Sequence, residues 1–265
     1  MRIFRLLALA LLTLGFALSV EAAPFPVVNV GLQDVVDTLE QSYRNLGSVT
    51  ADFFQRSTLV EKQREMRADG QFYLKLQQVG GADSPKVMFR FDYFRPTRHE
   101  IVCDGSTLWT YLPENRQVIQ SDVREAFNPL SLDNSGRANN FLQGLGRISR
   151  DFQITFASQM QDPAGNYLLE LTPRRATAAI ERLFLVVSRD AVINYVQNQR
   201  KIARALSSLG NRQELAFPLL SSTMRDHRGN SSTLEFSNIK ANAMLADMLF
   251  NFAVPGGVQV VRPPR

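Results

Sequence analysis

The chain has 265 residues, of which 45% are hydrophobic and 21% are charged, and its formal net charge is +5. These proportions are typical of a folded globular protein with a sizeable core. The positive excess is mild and no dense block of lysine and arginine occurs, so the composition argues against a nucleic-acid-binding protein. Cys103 is the only cysteine, which excludes an intrachain disulfide.

The N-terminus has the pattern of a secretory signal peptide. Two arginines precede an apolar run from Leu6 to Val20, and small residues follow the run. The run is shorter than the roughly 18 to 20 apolar residues of a membrane-spanning helix, and an uncleaved anchor is the alternative. We therefore expect residues 1–22 to be removed, with cleavage after Ala22, and residues 23–265 to form one soluble domain outside the cytoplasm.

The first element after this segment is a predicted amphipathic helix from Gly31 to Leu46. After Gly47 the apolar residues recur with a period of two, which is typical of strands. Short strands joined by tight turns favour an antiparallel sandwich or barrel. The predicted strands are, in order, Val49 to Thr58, Met66 to Gln77, Val87 to Phe94, His99 to Cys103, Thr107 to Leu112, Gln117 to Ser121, Phe152 to Ser158, Tyr167 to Thr172, Arg182 to Val187, Val192 to Val196, Leu215 to Met224, Ser231 to Ile239 and Phe250 to Val254.

Two segments interrupt the strand pattern. From Arg124 to Ile148, apolar residues at helical spacing predict a loop and short helices that pack on the sheet. From Gln197 to Leu209, apolar residues on one face and basic residues on another predict a short basic amphipathic helix.

Several strands carry adjacent apolar residues, such as Phe53 with Phe54 and Tyr93 with Phe94, so both faces of the sheet need apolar cover. One interpretation is an apolar cavity on the concave face. A sandwich core that encloses no cavity fits the pattern equally well. The two interpretations predict different results for Phe91→Glu. If residue 91 lines a cavity, the variant protein should stay folded, and if residue 91 lies in a packed core, the variant should unfold.

The residues that could support catalysis are few. His99 and His227 are the only histidines, and neither has a His, a Cys or a pair of carboxylates at metal-ligand spacing. The sequence lacks the nucleophile elbow, the phosphate-binding loop and the dinucleotide fingerprint. Cys103 follows His99 at i+4 in one predicted strand, but no residue nearby would orient the imidazole. We therefore predict that the protein is not an enzyme and has no metal or cofactor.

Five segments of the sequence, taken together, point to a known family. In the longest, a strand ending at Cys103 leads into Asp104-Gly105, a strand with Leu108-Trp109 and Tyr111, and a proline turn that ends in Gln-Val. This set resembles the LolA family, the periplasmic carriers of outer-membrane lipoproteins. The segments that carry the resemblance are Ala51 to Gln55, Gly70 to Lys75, Phe89 to Pro96, Ile101 to Val118 and Phe250 to Val258.

The resemblance implies a mainly β fold with helices, in which an incomplete antiparallel β-barrel is covered by a helical lid and encloses an apolar cavity for lipoprotein acyl chains. The strand positions that match the family's cavity are Phe72, Leu74, Phe89, Phe91, Trp109 and Tyr111. The positions that match the lid are Leu130, Leu132, Phe141, Leu142 and Leu145.

The resemblance also implies partners and location. We expect a periplasmic monomer that receives lipoproteins from an ABC-type transporter of the inner membrane and delivers them to an acceptor lipoprotein of the outer membrane. A lipoprotein-sensing regulator on the same scaffold is the alternative. Two features depart from the family pattern: Ser84 stands where the family has an arginine that ties barrel to lid, with Lys86 as the candidate substitute, and residues 197–218 resemble an insertion.

Overall fold

The computed structural model of the protein describes residues 29–78, 85–122, 144–175, 180–204 and 217–262. The predicted signal peptide therefore lies outside the described residues. Three α-helices are described: α1 (Leu32–Asn45), α2 (Ile148–Asp151) and α3 (Arg189–Arg204). The strands are β1 (Ser48–Leu59), β2 (Arg64–Gln77), β3 (Lys86–Arg95), β4 (His99–Cys103), β5 (Thr107–Leu112), β6 (Gln117–Asp122), β7 (Phe152–Gln161), β8 (Tyr167–Pro173), β9 (Arg182–Val187), β10 (Leu219–Arg225), β11 (Ser231–Ala241) and β12 (Gln259–Val261).

The strands form one twelve-stranded sheet in the order β12-β6-β5-β4-β3-β2-β1-β11-β10-β9-β8-β7. β12 pairs with β6 in parallel, and the other neighbouring strands of this sheet pair in antiparallel. The terminal strands β7 and β12 do not meet, so the sheet is not closed into a barrel. The predicted fold class, a mainly β protein built on an incomplete antiparallel barrel, is confirmed.

Alternation along the strands divides the sheet into two faces. The face that we call the inner face carries the buried apolar side chains of β1 to β4 and of β8 to β11, in one continuous core cluster. Helix α1 contributes Val35, Leu39 and Tyr43 to this cluster, and α3 contributes Val192 and Val196. Burying a side chain such as Leu39 contributes roughly 1.5 to 3 kcal/mol, so the docking of both helices is dominated by this apolar contact.

The outer face is crossed by residues 242–258, which we call the C-terminal strap. A short 3-10 turn, Asp247–Phe250, lies against β3, and the side chain of Phe250 is completely buried. Polar contacts fix the strap: Arg90 Nη1 donates to the Leu249 carbonyl at 3.4 Å, and Lys75 Nζ donates to the Leu245 carbonyl at 2.7 Å. The strap leads into β12 at the edge of the sheet.

Three predicted elements are corrected by the structure. Val192 to Val196 is helical and not a strand, because both valines lie at i, i+4 spacing on the buried face of α3. The predicted helix from Gln197 to Leu209 begins inside α3, and residues 205–216 lie outside the described part. Phe250 to Val254 belongs to the strap and forms no strand.

The close approach of the β2 and β3 backbones explains why residue 70 is a glycine. At the bulge where β2 meets β3, a Cβ added to Gly70 would lie 1.8 Å from the carbonyl oxygen of Asp92. Only glycine fits this position, which fixes the register of β2 and β3 and therefore the face on which their aromatic side chains lie.

Candidate functional site: the inner apolar face

The structure brings together four of the six residues that match the family's cavity. Phe72 and Leu74 on β2, and Phe89 and Phe91 on β3, are each no more than 1% exposed on the inner face. The ring centroids of Phe72 and Phe91 are 4.7 Å apart, and those of Phe89 and Phe91 are 6.0 Å apart. These side chains form an aromatic cluster in the middle of the inner face.

Two phenylalanines of other strands extend this cluster. Phe53 on β1 lies 5.3 Å from Phe91, and Phe236 on β11 lies 5.3 Å from Phe72, measured between ring centroids. Neither residue is among the six positions predicted from the sequence. The signal for Phe236 was its alternation with Leu234, which places both on one face of a strand.

Trp109 and Tyr111 lie on the opposite face. On β5 the inner positions are occupied by Leu108 and Thr110, so the residues between them point outward. Both outward rings contact the strap, with centroid distances to Phe252 of 6.1 Å for Trp109 and 5.8 Å for Tyr111. The six predicted side chains therefore do not surround one cavity.

Most of the predicted lid falls outside the part of the chain that the structure describes. Leu130, Leu132, Phe141 and Leu142 lie outside the described residues. Leu145 is described, and it is 1% exposed in a 3-10 turn (Leu145–Arg147) that packs against α1.

Polar contacts attach α1 to the turn and to α2. Glu40 Oε1 accepts hydrogen bonds from the Ser149 backbone N–H at 2.9 Å and from the Ser149 hydroxyl at 2.7 Å. Arg44 Nε donates to the Gly146 carbonyl at 2.8 Å, and Arg44 Nη2 lies 3.0 Å from Glu40 Oε2. Ser84 lies outside the described residues, and Lys86 lies beside Gly105 in the β4–β5 turn. Glu40 and Arg44 thus join α1 to the 3-10 turn and to α2, in addition to the apolar packing of α1.

His99 lies at the end of β4 and stacks on Tyr93, with ring centroids 3.8 Å apart. Burial lowers the pKa of His99 from its ordinary value of 6.5, and contact with the Thr97 carbonyl partly offsets the shift.

The lowered pKa of His99 makes stability depend on pH. Below about 6.5 the unfolded chain takes up a proton that folded His99 resists, so we expect the free energy of unfolding to fall as pH decreases through this range. Urea denaturation between pH 8 and pH 5 checks this result. His99→Gln is the control, and a slope with pH equal to that of the wild type would contradict the assignment.

Cys103 lies on the inner face and is completely buried. Its Sγ accepts a hydrogen bond from the Gly105 backbone N–H at 3.3 Å. Burial nevertheless raises the pKa of the Cys103 thiol to about 12.

We expect alkylation of Cys103 to be slow in the folded protein, because only on the order of one thiol in 10,000 is ionised at pH 8 and solvent cannot reach it. Mass spectrometry of iodoacetamide labelling over time measures the rate. The control is Ser106→Cys, which places a thiol at an exposed position of the same turn. Labelling of the two thiols at similar rates would rule out a buried Cys103.

Neither a metal centre nor a membrane span emerges from the described residues. They contain no group of three or more His, Cys, Asp or Glu placed to hold a metal ion. Among the same residues, no helix combines the length and the apolar character needed to cross a bilayer.

Comparison with known proteins identifies the family. The model of the family "Outer membrane lipoprotein carrier protein LolA" matches residues 44–199, which is more than half of the chain. An outer-membrane lipoprotein carrier protein of Bordetella avium is 26% identical over 262 residues, covering 98% of this chain and 97% of the relative. The corresponding protein of Methylobacillus flagellatus is 23% identical over 230 residues, covering 86% of this chain and 89% of the relative. A solved LolA superfamily protein from Nitrosomonas europaea is 16% identical with a TM-score of 0.42, covering 84% of this chain and 99% of that chain. The chain belongs to the LolA family.

Proposed function

We propose that the protein carries lipoproteins through the periplasm by burying their acyl chains between the inner face of the sheet and the helices α1 and α3 that cover it. It takes them from an ABC-type transporter of the inner membrane and passes them to an acceptor lipoprotein of the outer membrane. The full-length relatives named as outer-membrane lipoprotein carriers support this role.

The observation that carries the proposal is an aromatic inner face covered by separable helices. Phe72, Phe89 and Phe91 belong to strands, whereas the side chains that cover the inner face come from α1, α3 and the segment that holds Leu145 and Ile148. These helices meet the sheet through side-chain packing and not through a backbone hydrogen-bond ladder. They can therefore move away without breaking the sheet.

Acyl chains supply enough free energy to displace such a cover. Each buried methylene contributes about 0.8 kcal/mol, so a chain of roughly 14 methylenes contributes about 11 kcal/mol. This value is comparable with the whole free energy of unfolding of a typical domain. A lipoprotein can therefore replace helix side chains on the inner face by its own acyl chains.

The single tryptophan allows a direct test. Trp109 is the only tryptophan and lies on the outer face, so a synthetic lipopeptide with brominated palmitoyl chains should bind without quenching its fluorescence. In a variant that combines Trp109→Phe with Phe91→Trp, the only tryptophan lies in the aromatic cluster, and the same lipopeptide should quench it strongly. The larger ring costs about 1 to 3 kcal/mol of stability, which a thermal melt would reveal.

The outcomes separate the possible sites. Quenching of Trp109 in the wild type, without quenching at position 91, would move the lipid site to the outer face and refute the proposal. Absence of quenching in both proteins, at lipopeptide concentrations that saturate other LolA-family carriers, would refute lipid binding itself.

A further inference from the structure

The two edges of the sheet differ in how they are protected. β12, at one edge, has three residues, and Arg262 follows it directly with its Nε 3.1 Å from Gln120 Oε1. β7, at the other edge, has ten residues, and neither a charged residue nor a proline occurs from Phe152 to Gln161. Short length, charged residues and proline are the usual means by which proteins prevent strand addition at an edge. β7 has none of these three. A fourth means, an irregular register, occurs in β7 only between Phe156 and Gln161, so Phe152 to Phe156 forms a regular edge.

One side of β7 is open to pairing in the described part of the chain. β8 pairs with it from Phe152 to Phe156, and the register then shifts before Gln161. β7 is the terminal strand of the sheet, and among the described residues β8 is its one partner strand. Every second residue of β7 therefore presents a backbone N–H and a carbonyl to the open side.

The inner face extends as far as this edge. Phe152, Ile154 and Phe156 point inward and pack, partly buried, against the core cluster, while Gln153 and Thr155 point outward. An added strand would continue the sheet and cover this apolar row with its own alternate side chains. The edge thus offers backbone pairing and a partly buried apolar surface together.

We propose that β7 binds, by strand addition, the extended and uncharged stretch of polypeptide that follows the lipid-bearing residue of a carried lipoprotein. The proposal rests on the lipoprotein-carrier function proposed above. Backbone hydrogen bonds depend little on sequence, so one edge can accept many cargo proteins. The neutral composition of β7 favours an uncharged partner strand because neither charge sign is compensated there.

A second copy of the chain is a poorer occupant of this edge. Antiparallel pairing of two β7 strands aligns at most the ten residues of each copy, fewer than the roughly 20 to 30 residues that each partner contributes to a stable interface. A cargo peptide needs no such interface. Its lipid is already bound on the same inner face, so pairing is intramolecular and a weak interaction is sufficient.

The test compares three synthetic probes by fluorescence titration. The first is tripalmitoylated cysteine amide, the second is the same lipid followed by ten uncharged residues, and the third has alternate residues of that peptide N-methylated. We expect the peptide to tighten binding by about tenfold and N-methylation to abolish the gain, since it removes the backbone donors.

Two matched variants test whether the tighter binding of the lipid with its peptide depends on β7. Ile154→Lys places a charge in the inward row and should bring the ratio of the first two dissociation constants close to one. Gln153→Lys adds the same charge to the outward side of the same strand and should keep the ratio near ten. Using the ratio within each variant removes any change in lipid binding alone, and a thermal melt identifies a variant that has not folded.

The results distinguish this proposal from the carrier function. If both lipid probes bind the wild type equally, or if the gain persists in Ile154→Lys, strand addition at β7 is refuted while lipid carriage stands. If neither lipid probe binds, both proposals fall. Concentration-dependent dimerisation in ultracentrifugation that Ile154→Lys removes would assign the edge to a second copy and would also refute the proposal.

Discussion

Phe91→Glu is expected to lower the free energy of unfolding by more than about 4 kcal/mol. Phe91 is completely buried, and its ring lies 4.7 Å from that of Phe72 and 5.3 Å from that of Phe53. The substitution removes these contacts and leaves a carboxylate among apolar side chains without a partner. Because many domains are stable by only about 5 to 15 kcal/mol, the variant should lose a large share of its stability.

Urea denaturation followed by circular dichroism measures this effect. Phe94→Glu is the matched control, because Phe94 lies on the same strand but is 47% exposed. We expect the control to change stability by no more than about 0.5 kcal/mol. A Phe91→Glu variant as stable as the control would show that the inner face is an open cavity wall and not a packed core.

The second large effect is expected for Phe250→Ala, which should lower the free energy of unfolding by about 3 to 5 kcal/mol. Phe250 is completely buried between the strap and the outer face of the sheet, on which Met88 and Val102 are also buried. Its removal leaves a cavity beneath the strap, which is then held by its polar contacts and by the ring contacts of Phe252.

Two measurements check the prediction for Phe250→Ala. Denaturation gives the loss of stability, and the emission of Trp109 should shift to longer wavelength because Phe252, which covers its ring, belongs to the same strap. Met248→Ala is the control, since Met248 is 77% exposed in the same 3-10 turn. An equal loss of stability in both variants would contradict the role of Phe250 as the anchor.

The sequence predicted the strands well where one face alone is apolar. In β11, buried Leu234 and Phe236 alternate with exposed Glu235 and Ser237, and the period of two is unambiguous. Prediction was weaker where a helix carries β-branched residues. Val192 and Val196 resemble a short strand locally, and only the packing of α3 on the sheet decides between the alternatives.

The candidate site could be predicted in part. Alternation correctly grouped Phe72 with Leu74 and Phe89 with Phe91, because residues two apart share a face. It could not show that Trp109 and Tyr111 face away from them. Both faces of this sheet have apolar cover, and the cover of the outer face comes from the strap, more than 130 residues further along the chain.

The position of β1 in the sheet has a consequence for how the chain reaches this structure. Val49 pairs with Ala241, so β1 joins β11 only when nearly the whole sequence is available. Closing so large a loop lowers the conformational entropy of the chain before the contacts between β1 and β11 can offset that loss. The local hairpins β1–β2 and β10–β11 should form early, and the joining of β1 to β11 should limit the rate, with refolding on the order of milliseconds to seconds.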